Sequence, residues 1–233
     1  MRVEATDISQ TASARDVIFD ALRAAITRGD LAEGEMLRQD RIAQMFNVSR
    51  IPVREALARL EQQGLVTTQR YRGAVVASFS IAEIREIFEF RALLESQILR
   101  YSVENMSQAA LEEAARHCDD FATETDPAKW NALNRLFHYS LYRDAGRPYY
   151  LQIVDAALDR IERYLRAQLL LTNGMARARR EHAAILAACV ARDAHKAAEL
   201  THDHIIEASR SLVAFLETQK NGVANTSNEA RGP

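Results

Sequence analysis

The chain has 233 residues, 48% of them apolar and 27% charged, with a formal net charge of −2. That length exceeds one winged module and suits two modest domains. The composition excludes a disordered chain and a uniformly basic nucleic-acid coat. With only 8 glycines and 4 prolines, helices are favoured over a β architecture built on tight turns. Cys118 and Cys189 lie far apart and form no CxxC, which argues against a disulfide framework or a thiolate metal site. The longest apolar run, Ile185 to Ala191, falls far short of the roughly 20 residues of a membrane span. The polar, acidic start does not resemble a signal peptide, so a cytoplasmic location without a membrane partner is expected.

Taken in chain order, residues 10–78 read as a winged helix-turn-helix, and the first dozen residues as a mobile arm. A helix over Ser13 to Arg28 carries the apolar stripe Ile18, Leu22, Ala25 and Ile26, and Gly29 stops it. A short helix from Gln39 to Phe46 follows, with Ile42, Ala43 and Phe46 inward. Asn47-Val48-Ser49 forms the turn, where Asn tolerates a left-handed backbone and Ser49 is a good N-cap. The third helix spans Arg50 to Gln63; Pro52 is tolerated in its first turn, where no intrahelical N–H bond is lost. Two short strands, Leu65–Thr68 and Ala74–Val76, flank a basic turn from Gln69 to Gly73.

From Met36 to Val76 seven arginines face only Asp40, Glu55 and Glu61, a local surplus of four positive charges on an otherwise acidic chain. Arg50 and Arg54 lie one turn apart at the start of the third helix, the end that enters a major groove, where Arg can bond guanine O6 and N7 together. Arg38, Ser49 and Arg72 are placed for phosphates or the adjacent groove. Arg59, further along, reads as solvated or backbone-contacting.

The stretch VSRIPVREAL (Val48–Leu57), followed by LEQQGLV and RGAVV, resembles the DNA-binding signature of GntR-type bacterial transcription regulators over roughly residues 15–77. The resemblance implies that Arg50 and Arg54 read bases, that Arg72-Gly73 is the wing tip, and that Pro52 belongs to the DNA-facing turn. Ile51 stands where that family usually carries Thr.

Residues 79–219 read as an all-α antiparallel bundle, making the whole chain mainly α, and residues 220–233 as a disordered tail. Ser80-Ile81-Ala82-Glu83 is a capping box. The helix it opens has the stripe Ile84, Ile87, Phe88, Leu94 and Ile98, with Arg91 and Glu95 in its middle. Two readings of Arg91 stand: pairing with Glu95 inside the bundle or a dimer contact, or waiting for an anionic ligand. Further helices are expected over 107–123, 127–145, 149–171, 175–191 and 194–219.

Helical phase separates the six histidines. His182 centres the stripe Met175, Ala178, Ile185, Leu186 and Cys189. His204 centres Ala197, Leu200, Ala208, Ser211 and Phe215. His138 and Asn134, one turn apart, border the stripe Trp130, Leu133, Phe137 and Leu141. His195 and His202 fall on the wet face, and phase turns Arg135 elsewhere. Three inward imidazoles from three helices suit either core packing or a transition metal, with Mn admitted if an oxygen joins them.

RALLE (Arg91–Glu95), NRLFH (Asn134–His138), EHAAIL (Glu181–Leu186), Asp193 and His204 fall in an order similar to the FCD ligand-binding domain of the FadR subfamily. That resemblance implies Asn134, His138, His182 and His204 as ligands of a divalent transition metal, zinc first, with nickel or manganese admitted. The family more often has Asp at the position of Asn134. It implies a ligand-responsive regulator, expected to repress, that binds a palindromic operator duplex as a homodimer. A small carboxylate or sugar acid would bind the metal, and Arg91 would pair with a second anionic group. Two rival readings are a metal-free organic-ligand pocket and a three-histidine metal enzyme.

Overall fold

The computed structural model describes residues 13–70, 73–172 and 174–229, with side chains to residue 218. The expected N-terminal arm, Arg72 of the wing tip, and residues 230–233 lie outside the described residues. The chain divides into two compact units, one ending at Ser78 and the other beginning at Phe79.

The first unit is built from α1 (Ala14–Arg28), α2 (Gln39–Met45), α3 (Arg50–Gln62), β1 (Val66–Gln69) and β2 (Gly73–Val76). Ser13 caps α1 through the Asp16 amide, and Gly29 ends it at φ +83°, donating its N–H back to the helix. α1 presents Ile18, Phe19, Leu22 and Ile26 to Val53, Ala56, Leu57 and Leu60 of α3. Asn47 takes the left-handed φ of +51° that its turn demands. The hairpin is antiparallel, with Val66 opposite Val76 and Gln69 opposite Gly73. Arg59 does not face solvent alone: it donates to Asp16 at 3.0 Å and lies 3.9 Å over the Phe19 ring, so it fastens α3 to α1.

The second unit contains α4 (Ile81–Asn105), α5 (Gln108–Thr123), α6 (Pro127–Tyr142), α7 (Pro148–Leu171), α8 (Gly174–Val190) and α9 (Ala194–Glu229). Ser80 and Glu83 form the expected capping box at the start of α4. α4 and α9 run antiparallel. Arg192, left-handed at φ +58° between α8 and α9, donates to the Val103 and Met106 carbonyls at the end of α4. At the other end Arg85 meets Glu217 at 3.9 Å. No described helix is long and apolar enough to cross a membrane.

Two expectations need correction. The last helix does not stop at the expected Gln219: α9 is described as continuing to Glu229. Extending an existing helix requires no new nucleus, which offsets the weak propensity of that segment. The buried stripe of α9 runs through Ala197, Thr201, His204, Ile205, Ala208 and Leu212, with Ser211 and Phe215 only half-buried. The packing rotates the helix by a fraction of a turn from the phase assigned by hydrophobicity.

Candidate functional site

Two surfaces carry chemistry, one in each unit. In the first, burial of Val53, Ala56, Leu57 and Leu60 turns the opposite face of α3 outward. Arg50 and Arg54 are exposed there, as are Ser49 at the N-cap and Arg38 at the N-cap of α2; Pro52 is half-buried. Arg50 pairs with exposed Asp40. Ser49 occupies the N-cap position, but its hydroxyl makes no capping bond. Ile51 is 58% exposed on the same turn, an apolar group of the kind that touches thymine methyls. Gly73 sits exposed at φ +76°, with open space where a Cβ would project.

In the second unit, His138 of α6, His182 of α8 and His204 of α9 converge. Each offers a ring nitrogen, and the three atoms lie within 4.8 Å of one another. Ring centroids are 5.1 Å apart for His138–His182, 5.2 Å for His138–His204 and 4.9 Å for His182–His204. His182 is fully buried, stacked on Phe137 at 4.3 Å and tilted against Phe121 at 4.6 Å.

The hydrogen bonds fix two tautomers. Tyr142 Oη donates to Glu95 Oε2 at 2.8 Å and therefore accepts from His138 Nδ1, 3.2 Å away. Burial and the nearby Glu95 carboxylate push the Tyr142 phenol well above its ordinary value, so it stays a donor. His204 Nδ1 lies 2.7 Å from Glu181 Oε2 and donates to it. That leaves Nε2 of His138 as its lone pair and Nε2 of His204 as the nitrogen not spent on Glu181. Neither nitrogen of His182 has a hydrogen-bond partner. Burial, with the adjacent His204 ring, holds His138 and His182 well below the usual imidazole range, so both are neutral.

Arg91 and Glu95, 3% and 0% exposed, pair at 2.8 Å. The pairing within the bundle is therefore present, and Arg91 also lines the two cavities beside the histidines. These cavities, of about 20 and 10 Å³, share Arg91, Asn134, His138 and Leu165. Each holds no more than one or two waters. Asn134 is half-buried on their common wall. Arg135, which phase turned away, lines the smaller cavity, donating to Asp159 at 2.8 Å and to Asp155.

Phase did not reveal Tyr142, Glu181, Arg177 or Gln168. Glu181 is the residue before His182, and Arg177 lies four before Glu181, an i,i+4 charge pair legible on a helical wheel. Gly174 is what lets Gln168 into the cavity wall: a Cβ there would meet the Gln168 amide at 2.3 Å.

The three imidazoles fit a divalent transition metal by their donor chemistry. All lack competing protein partners on at least one nitrogen, and His182 lacks them on both.

Comparison with known proteins agrees with this division. Residues 14–76 match the family model described as bacterial regulatory proteins, gntR family, and residues 86–207 match the FCD domain. The chain is 31% identical over 215 residues to the HTH-type transcriptional regulator BphR of Paraburkholderia xenovorans, covering 88% of this chain and 87% of that one. It is 28% identical over 198 residues to the HTH-type transcriptional repressor GlaR of Escherichia coli, covering 79% and 89%. A GntR family regulator from Pseudomonas syringae pv. tomato superposes with TM-score 0.54 at 33% identity, over 90% of this chain and 88% of that one. A GntR regulator from Rhodococcus sp. RHA1 shares the fold with TM-score 0.74 at 19% identity, over 87% and 99%. The chain belongs to the GntR family of bacterial transcription regulators, its winged helix-turn-helix joined to an FCD domain.

Proposed function

We propose that the chain is an effector-responsive repressor that grips a palindromic operator as a homodimer. Arg50 and Arg54 read base edges, while Arg38, Ser49, Arg72 and Gly73 meet the backbone and adjacent groove, and Pro52 shapes the turn between them. His138, His182, His204 and Asn134 hold a divalent transition metal, zinc first, to which a small carboxylate effector binds. When bound, that metal supplies a Lewis-acidic anchor for the carboxylate. The chain's own residues do the rest. Tyr142 and Glu181 orient two imidazoles, Glu95 keeps Tyr142 aligned, and Phe121 and Phe137 exclude water from His182.

The observation that carries this reading is His182, fully buried with both nitrogens bare. A core histidine retained for packing would be expected to find a partner. A sensor is favoured over an enzyme because the carboxylates beside the imidazoles are already engaged: Glu95 by Arg91 and Tyr142, Glu181 by His204 and Arg177. The E. coli relative GlaR is named a repressor, which favours release from DNA when effector binds. An effector shifts the DNA grip only through its differential affinity for two arrangements, typically about 1–3 kcal/mol.

Metal analysis of the purified protein tests the site, and operator selection tests the DNA face. Bound zinc, removed by chelation and absent from a His182→Ala/His204→Ala variant, is expected. Metal retained in that variant overturns the ligand assignment. Arg54→Ala is expected to cost about 1–3 kcal/mol of base discrimination with the fold intact. An unchanged preference for selected over random duplex overturns the base-reading role.

A further inference from the structure

The two arginines assigned to base edges are not equivalent. Arg54 is exposed and has no ion-pair partner among the described residues. Arg50, one helical turn earlier, meets the Asp40 carboxylate with its Nε. Asp40 lies in the first turn of α2 and Arg50 opens α3, and the left-handed Asn47 bends the chain between them. Both border an open concavity of about 550 Å³ that Gln44, Asn47 and Ser49 also line.

We propose that Asp40 is a positioning residue for base readout: by holding Nε of Arg50, it presents the two Nη groups of that guanidinium to a single guanine. This rests on the base-reading role of Arg50 given above and adds the residue that sets its selectivity.

The Arg50 and Asp40 side chains are 72% and 59% exposed, and a pair so open to water does little for stability. An acid on this face also repels phosphate, so Asp40 lowers affinity for any duplex. Only three acids lie between Met36 and Val76, and one of the others, Glu61, is spent on the Thr68 amide within the fold. A carboxylate that costs affinity and adds little stability is left with selectivity as its effect. The guanidinium carries five donors in one plane on a long side chain, and when unheld it can meet a phosphate or several base edges. With its Nε side taken, the end of the fork keeps the paired donors that match O6 and N7 of guanine. Fixing the side chain beforehand also reduces the rotamer freedom lost on docking.

Fluorescence anisotropy of the full-length protein tests this. The duplexes are one selected by the wild-type chain and copies in which one guanine–cytosine pair becomes adenine–thymine. Arg50→Ala identifies the guanine read by Arg50, and Arg54→Ala the guanine read by Arg54. Asp40→Ala is expected to lower discrimination at the Arg50 guanine about tenfold and to leave the Arg54 guanine within about twofold. It raises affinity for all the duplexes together. Discrimination is a ratio between duplexes bound by one protein, so changes in stability or overall charge cancel from it. Asp40→Asn, which keeps an acceptor oxygen without the charge, falls between. In an Arg50→Ala background Asp40→Ala alters no base preference. Discrimination at the Arg50 guanine unchanged in Asp40→Ala, or lost equally at both guanines, overturns the positioning role and leaves the base reading standing. If Arg50→Ala itself alters no base preference, both fall.

Discussion

At the residue scale, His182 lies between two phenylalanines with neither ring nitrogen satisfied. Each buried polar group left bare costs about 1–3 kcal/mol. This gives a pH dependence whose sign follows from the shifts. His138 and His182 titrate well below the ordinary value in the folded chain. Unfolded imidazoles titrate near pH 6.5, at about the ordinary value. Between these limits the unfolded state binds more protons, so stability rises with pH there and falls as the pH drops below about 6.5. Urea midpoints of metal-stripped protein should therefore fall from pH 7.5 to 5.5, and His182→Phe should flatten that slope. A wild-type midpoint insensitive to pH over that range contradicts the burial of neutral imidazoles. The three histidines were legible in the sequence because each sits at or beside the middle of an apolar stripe. Tyr142 and Glu181 were not. Their role depends on how α4, α6, α8 and α9 are rotated against one another, and no single stripe carries that information.

At the element scale, two of the N-cap serines, Ser80 and Ser49, have different consequences. Ser80 accepts from the Glu83 amide and Glu83 reaches back, whereas Ser49 makes no capping bond. Ser80→Ala should cost about 1 kcal/mol of stability. Ser49→Ala should stay within about 0.5 kcal/mol while weakening DNA binding. Chemical denaturation beside duplex-binding titrations separates the two effects; a large stability loss for Ser49→Ala would sink the distinction. Helix boundaries were readable wherever a side chain or glycine marks them, as at Ser13, Gly29, Ser80 and Ser107. They were not readable at the end of α9, where Asn221-Gly222 reads as a stop but the helix propagates through it to Glu229.

At the scale of the molecule, the basic surplus between Met36 and Val76 against a net charge of −2 makes DNA affinity an electrostatic quantity. With Arg38 and Arg72 of each copy on phosphates in the proposed dimer, affinity for random duplex should fall by about 10² between 50 and 200 mM salt. Fluorescence anisotropy across that range checks it, and a flat response would remove the arginine face from the DNA reading. The bundle adds a mechanical constraint. Arg192 ties the turn between α8 and α9, the helices of His182 and His204, to the last carbonyls of α4, the helix of Arg91. Three of the five helices that line the cavities beside the histidines are thus clasped at one end. Among the described residues, the far end of the α4–α9 pair is held only by the exposed Arg85–Glu217 contact at 3.9 Å, so a guest larger than one or two waters should open the walls there first. There α4 begins at Ile81, three residues beyond Ser78, the last residue of the winged unit.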